Sequence, residues 1–250
     1  MPRYFIFISF NGTCYHGWQK QPGSVTVQKL LDQALSNILG EKIETTGAGR
    51  TDTGVHALLF CAHFDSVADD LSDRPNLVFR LNRYLPPDIS VSSIRKVSAK
   101  ANARFDALSR TYEYRINRVK DPFLHGFAWF VHGFLDLDLM NKASQILMEN
   151  SNFTSFCRLH SDNKTNICRV SDARWEAEDN MVVFTIKADR FLRNMVRAIV
   201  GTVIEVGKHK KSLQEFERII HARNRSEAGT SAPANGLFLK GIEYPEDVFI

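Results

Sequence analysis

Gly47-Ala48-Gly49-Arg50-Thr51-Asp52-Thr53-Gly54-Val55-His56-Ala57 stands between an amphipathic helical pattern and an apolar, β-favouring run. Its first eight residues hold three glycines, one arginine and one aspartate. Glycine at this density lets a backbone turn sharply or approach a ligand closely. A cation and a carboxylate two residues apart in such a loop are groups that loops commonly bring to chemistry. The familiar glycine-rich loops do not fit. A dinucleotide fingerprint needs glycine where Asp52 stands, and the carboxylate would repel a pyrophosphate. A phosphate-cradling loop needs Gly-Lys-Ser/Thr at its end, which is missing. This loop presents a carboxylate.

Before the loop, Val27, Leu30, Leu31, Ala34, Leu35, Ile38 and Leu39 recur at helical spacing, with Thr26 as N-cap and Gly40 as stop. Residues 4–10 form an apolar strand that turns at Asn11-Gly12. Tyr15-His16-Gly17-Trp18-Gln19 has two readings, a functional aromatic loop or an ordinary packed one. After the loop, His56–Phe64 reads as a central strand. Its two histidines, seven residues apart, face opposite sides and cannot chelate one metal.

Further on, the pattern predicts a helix over Asn76–Leu85, stopped by Pro86-Pro87, and a strand over Ile89–Val97. Tyr112, Tyr114 and Ile116 alternate along one face of a strand. A helix over Leu137–Asn150 enters through Asp136 or Asp138. Strands follow at Ile167–Glu176 and Met181–Ala188, with a turn at Asp179-Asn180. Helices over Phe191–Val206 and Leu213–Ala222 and a strand over Leu237–Ile242 complete the chain. Strands and helices with short connections describe a mixed α/β (α+β) fold with antiparallel or mixed sheets. The halves change over near residues 98–106, without an alignable repeat or a low-complexity linker.

At 250 residues, 44% hydrophobic and 24% charged, the chain has the size and composition of one or two soluble domains. Cys14, Cys61, Cys157 and Cys168 are scattered without a Cys-x-x-Cys pair, which points to reduced thiols in a cytosolic protein and away from zinc. The opening Tyr4–Ile8 run is too short for a signal-peptide core or a membrane span. A cytoplasmic protein is expected.

The net charge is +4 and the pI about 8.9. Lys187–Arg225 holds ten basic against four acidic residues, +6 for that segment, which leaves −2 for the rest. Arg190, Arg193 and Arg197 fall at i, i+3 and i+7, on one face of the predicted helix. That face is either simply solvated or a phosphate-binding stripe. Arg104, Arg110 and Tyr112 form a second basic and aromatic cluster, of a kind that stacks bases while pairing phosphates. Asp52 likewise has two readings, a turn-stabilising residue or a nucleophile. There is no Gly-x-Ser-x-Gly elbow, no His-Glu-x-x-His, and no second acid near Asp52 in sequence for a glycosidase pair.

The loop resembles the catalytic loop of the tRNA pseudouridine synthase A family, which usually carries Ala at the position of Thr53. The likeness extends along the chain. Ala103–Ala107 through Arg110-Thr111-Tyr112-Glu113-Tyr114 resembles the family's second motif. Phe191-Leu192-Arg193-Asn194-Met195-Val196-Arg197 resembles its Phe-Leu-x-x-Met-Val-Arg segment. Gly229-Thr230-Ser231-Ala232-Pro233 with Gly236-Leu237 resembles its C-terminal signature, and Tyr15–Gln19 its Tyr-x-Gly-Trp-Gln segment.

The resemblance implies isomerisation of uridine to pseudouridine at positions 38, 39 and 40 of the tRNA anticodon stem-loop, with no cofactor and no metal. It implies Asp52 as nucleophile or base, Arg50 paired with Asp52 and also wedging into the space of the displaced nucleotide, and Tyr112 stacked on uracil. Arg197 is then expected to fix Asp52 or a phosphate, with Arg190, Arg193, Arg104 and Arg110 on the RNA. It further implies two largely antiparallel domains related to the RNA-recognition fold, over residues 1–103 and 104–250, a central cleft, and a homodimer binding tRNA. Two other classes keep some of these features. A silent RNA-binding protein needs Tyr112 and the basic segment but not Arg50 with Asp52. A uridine-nucleoside glycosidase needs Asp52 but not the +6 segment.

Overall fold

The N-terminal apolar run forms β1 (Arg3–Phe10), followed by α1 (Val27–Leu39), β2 (Thr46–Gly47), β3 (His56–Asp65), α2 (Leu77–Tyr84) and β4 (Ile89–Val97) in the computed structural model, which describes residues 1–158 and 164–250. The chain divides into two compact units, Met1–Leu108 with Leu239–Ile250, and Ser109–Phe238.

In the first unit β1 lies between β3 and β4, antiparallel to both, with Ile6 opposite Ala62 on one side and Ile94 on the other. A strand flanked in this way and covered on both faces needs apolar residues at consecutive positions, as Tyr4-Phe5-Ile6 supplies. The C-terminal segment covers one face. Phe5 packs on Tyr244 with ring centroids 5.0 Å apart, and Phe7 lies 6.4 Å from Phe249. The Arg95 guanidinium sits 3.7 Å above the Phe249 ring. Helix α1 starts and stops on the expected caps. The Thr26 side chain accepts from the Lys29 N–H at 3.4 Å, and Gly40 ends the helix in the left-handed region at φ 73°.

The second unit holds β5 (Ser109–Asn117), β6 (Trp129–Phe130), α3 (Leu137–Glu149), β7 (Val170–Glu178), β8 (Met181–Ala188), α4 (Met195–Gly207) and α5 (Leu213–Ala222). β8 pairs antiparallel with β5 and β7, while β6 runs parallel to the end of β5. The β7–β8 hairpin turns at Asp179-Asn180, with Asp179 at φ 51°. α3 is capped by Asp136, whose carboxylate accepts the Leu139 N–H at 3.0 Å, and α5 opens on a Ser212/Glu215 capping box. A last strand, β9 (Leu237–Glu243), carries the chain back into the first unit. Among the described residues the architecture is a mixed α/β fold of nine mostly antiparallel strands and five α-helices.

One expected element is different. The helix predicted from Phe191 begins only at Met195, because Asn194 adopts a left-handed conformation at φ 67° and breaks the approach. Arg190 and Arg193 therefore precede α4, and the three arginines do not share a helical face. Of the thirteen residues of α4 only Arg197 and Glu205 are not buried, so this helix has no solvated stripe.

Candidate active site

The loop between β2 and β3 is fastened at both flanks. Its root follows β3, where Ala48 donates to the Cys61 carbonyl at 2.8 Å. Its tip is a turn closed by the Val55 N–H on the Asp52 carbonyl at 3.2 Å. The tip rests on the Tyr15–Trp18 segment. Gly54 donates to the Tyr15 carbonyl at 3.3 Å, and the Trp18 N–H donates to Thr51 Oγ1 at 3.0 Å. Gly17 lies against the loop backbone at φ 77°, so close that a Cβ there would fall 2.1 Å from the Thr51 carbonyl oxygen. Only glycine fits both the conformation and the space.

Tyr15 and Trp18 are 4% and 1% exposed, so these two rings are packed, while His16 between them is exposed. Trp18 lies on Phe60 at 4.2 Å, and the Tyr15 hydroxyl donates to the Asp88 carboxylate. Burial, and secondarily that hydrogen bond, push the Tyr15 phenol pKa upward, so it stays a neutral donor. These contacts seat the loop on the segment. Buried His56 accepts the Gly12 N–H on Nδ1 at 3.0 Å and fixes the far end of the loop in the same way.

Asp52 is thereby half-buried on a turn with fixed backbone geometry, while Arg50 is exposed. Arg50 stands two residues before Asp52 on the same loop.

In the second unit Tyr112 is half-buried on β5, in edge-to-face contact with Phe191 at 5.1 Å and 87°. Arg110 Nη1 donates to the Asp189 carbonyl at 2.8 Å, and the Arg190 N–H donates to the Asp189 carboxylate at 2.7 Å. Tyr112, Arg110, Arg190 and Phe191 thus share one neighbourhood. Arg193 is exposed just before the N-terminus of α4, where helix N–H groups and the macrodipole favour an anion. Arg197 is held from below, with Nε donating to the Ala232 carbonyl at 2.7 Å and its own carbonyl accepting the Ala232 N–H at 2.9 Å.

The 228–232 strap holds Arg197 and includes most of the Gly229–Pro233 signature segment. Ser231 Oγ accepts from Asn194 Nδ2 at 2.7 Å and from Arg225 Nη2 at 2.9 Å, while Arg225 Nη1 donates to the Gly229 carbonyl at 3.1 Å. Asn194 and Ser231 together hold the bend that delivers Arg193 and Arg197. A Cβ on Gly201 would fall 1.8 Å from the Thr230 carbonyl oxygen, so the strap lies directly on α4. The resemblance to the C-terminal signature marks this segment in the sequence, whereas its hold on Arg197 is a contact across thirty-five residues.

Arg104 belongs to the first unit, exposed beside Phe105. Cys61 and Cys168 are buried and their thiols pushed up to about 12 by that burial, which removes them as nucleophiles at neutral pH. No group of three or more His, Cys, Asp or Glu with metal-binding geometry occurs among the described residues. None of the described helices is long and apolar enough to cross a membrane.

The sequence model described as tRNA pseudouridine synthase matches residues 6–106 and 143–245. The chain belongs to the tRNA pseudouridine synthase family. Three relatives cover 96–100% of it. A protein of Bacteroides thetaiotaomicron named tRNA pseudouridine synthase A is 53% identical over 252 residues, covering 100% of this chain and 93% of that one. One of Bacteroides fragilis with the same name is 52% identical, covering 99% and 98%. One of Acetivibrio thermocellus, also so named, is 39% identical, covering 96% and 98%. Members of this family are isomerases that convert uridine to pseudouridine in tRNA. The matched regions include the Asp52 loop, Arg104 and the Phe191–Arg197 segment, whereas Arg110 and Tyr112 fall between them.

Proposed function

We propose that this chain makes pseudouridine at positions 38, 39 and 40 of the tRNA anticodon stem-loop, with Asp52 as the nucleophile or base that frees uracil from its sugar. The bond from uracil N1 to ribose C1′ breaks, the base turns, C5 joins C1′, and the proton on C5 is lost while N1 gains one. Product and substrate have the same atoms, so no co-reactant enters the balance. The observation that carries this reading is the seating of Asp52. Its turn is hydrogen-bonded to the Tyr15–Trp18 segment on both sides of the aspartate, while Arg50 is exposed. A carboxylate acts well at a reacting carbon only when held within a fraction of an ångström.

Arg50 enters the space of the displaced nucleotide, Tyr112 stacks on the uracil, and Arg197 fixes the carboxylate or a neighbouring phosphate. Arg190, Arg193, Arg104 and Arg110 supply phosphate contacts that offset the cost of flipping the base. The chain acts as a cytoplasmic homodimer. Incubation with an unmodified tRNA transcript, followed by carbodiimide labelling and primer extension, tests the reading. Stops at positions 38–40 are expected in substrates with uridine there. An intact transcript that is bound but never labelled would leave only the silent RNA-binding protein, and release of free uracil would indicate the glycosidase.

Tyr112 offers a sharper test. Tyr112→Phe keeps the ring and should bind tRNA nearly as wild type, whereas Tyr112→Ala should weaken engagement by about 1–3 kcal/mol. Filter binding alongside a thermal melt checks this. If both variants lose activity only in step with their melting midpoint, Tyr112 is a packing residue.

A further inference from the structure

The turn Asn102–Asp106 of the first unit is closed on itself by reciprocal hydrogen bonds. The Asn102 N–H donates to the Asp106 carboxylate at 2.8 Å, and the Asp106 N–H donates to the Asn102 carbonyl at 3.0 Å. Asn102 Oδ1 accepts the N–H groups of Arg104 and Phe105 at 2.9 and 3.2 Å. The turn is also pinned to the body of the unit. Ala103 donates to buried His63 Nδ1 at 3.1 Å, and the Tyr244 hydroxyl donates to the Ala103 carbonyl at 2.6 Å. At the apex of this braced turn Phe105 is 77% exposed, with the Arg104 guanidinium 5.5 Å from its ring centroid. An exposed ring on a slack loop would fold back onto apolar surface. Here the turn holds it out.

The bracing also ties the turn to β3, the strand that follows the reactive loop. His63 is the residue on β3 opposite Thr46, at the root of the Asp52 loop, and its imidazole holds Ala103. One residue thus anchors both the loop that carries the carboxylate and the turn that carries the exposed aromatic. A guanidinium over the ring suits a partner with a π-face and a negative charge together, which describes a nucleotide.

We propose that Phe105 stacks on an unpaired base of the tRNA close to the uridine being isomerised, and that Arg104 pairs with the phosphate of that nucleotide. This rests on the tRNA reading given above. Flipping one nucleotide leaves its neighbour without a stacking partner, and an aromatic side chain held rigidly in place replaces that partner.

The test uses the full chain and an unmodified tRNA transcript carrying 2-aminopurine in the anticodon loop next to the target uridine. Phe105→Ala should weaken transcript binding by about tenfold, the lower end of what one base–aromatic stack supplies. It should also abolish the quenching of 2-aminopurine seen on binding, and Phe105→Trp should restore both. The melting midpoint of Phe105→Ala should match wild type, since the ring is exposed. Binding and quenching unchanged in Phe105→Ala would overturn the proposal. So would a loss of binding accompanied by a lower midpoint, or by a change of sedimentation that marks Phe105 as a contact between copies. Pseudouridine is measured on the same transcript with wild-type protein. Phe105-dependent quenching without isomerisation would refute the functional reading and leave the stacking intact.

Discussion

Gly17→Ala is expected to abolish useful turnover and to destabilise the first unit. The new methyl group would lie 2.1 Å from the Thr51 carbonyl oxygen and within 3.2 Å of the Asp52 backbone, at a residue whose φ is 77°. The neighbour is backbone, so no side chain can swing away. Left-handed strain and overpacking together cost about 2–5 kcal/mol. The chain relieves part of this by moving the Thr51–Asp52 turn, and a shift of about 1 Å at a reacting group costs on the order of a hundredfold in rate. Gly23→Ala is the matched control. Gly23 has nearly the same φ, 71°, but nothing lies within 4 Å of the added atom. It should cost about 1 kcal/mol and leave pseudouridine formation unchanged. Equal activity and equal melting midpoints for the two variants would mean that the Tyr15–Trp18 segment does not position the loop.

The buried anchor His63 makes a separate expectation about pH. Its Nδ1 accepts a hydrogen bond, so it must be unprotonated there, and burial, then the nearby Arg3 charge, hold its pKa below the ordinary histidine value. Asp65 and Asp106 face it and oppose that shift without reversing it. A depressed folded pKa means that this contribution to stability is complete above pH about 6.5 and is lost as pH falls toward the folded value. The melting midpoint should therefore decline below pH about 6.5, with faster exchange of the Ala103 amide. A His63→Gln variant with the same decline would assign it to other groups.

The legible parts of this fold are those with a local cause. α1 has its caps at Thr26 and Gly40, α5 has its capping box at Ser212, and β4 begins just after Pro86-Pro87. The misread parts have distant causes. Phe191-Leu192-Arg193 continues the helical spacing of α4, but Asn194 turns left-handed and Ser231, thirty-seven residues on, holds it there. β2 and β6 have two residues each, too few for any periodicity to appear. Nothing near Leu239–Ile250 announces that it returns to cover β1. The same division applies to the site. The glycine-rich loop with Asp52 is legible because its composition is unusual. That Gly17 supports it depends on contacts between residues far apart in sequence.

The central claim is that the Asp52 carboxylate does the chemistry while other residues hold the RNA. Asp52→Asn keeps the size of the side chain and the backbone carbonyl that closes the turn with Val55, and removes only the anionic oxygen. The measurement is single-turnover pseudouridine formation by this variant, in excess over unmodified tRNA, with affinity determined in parallel. The account predicts tRNA affinity within about tenfold of wild type, or about 1.4 kcal/mol, and no pseudouridine at any enzyme concentration. Pseudouridine formed by Asp52→Asn at a rate close to wild type would contradict it.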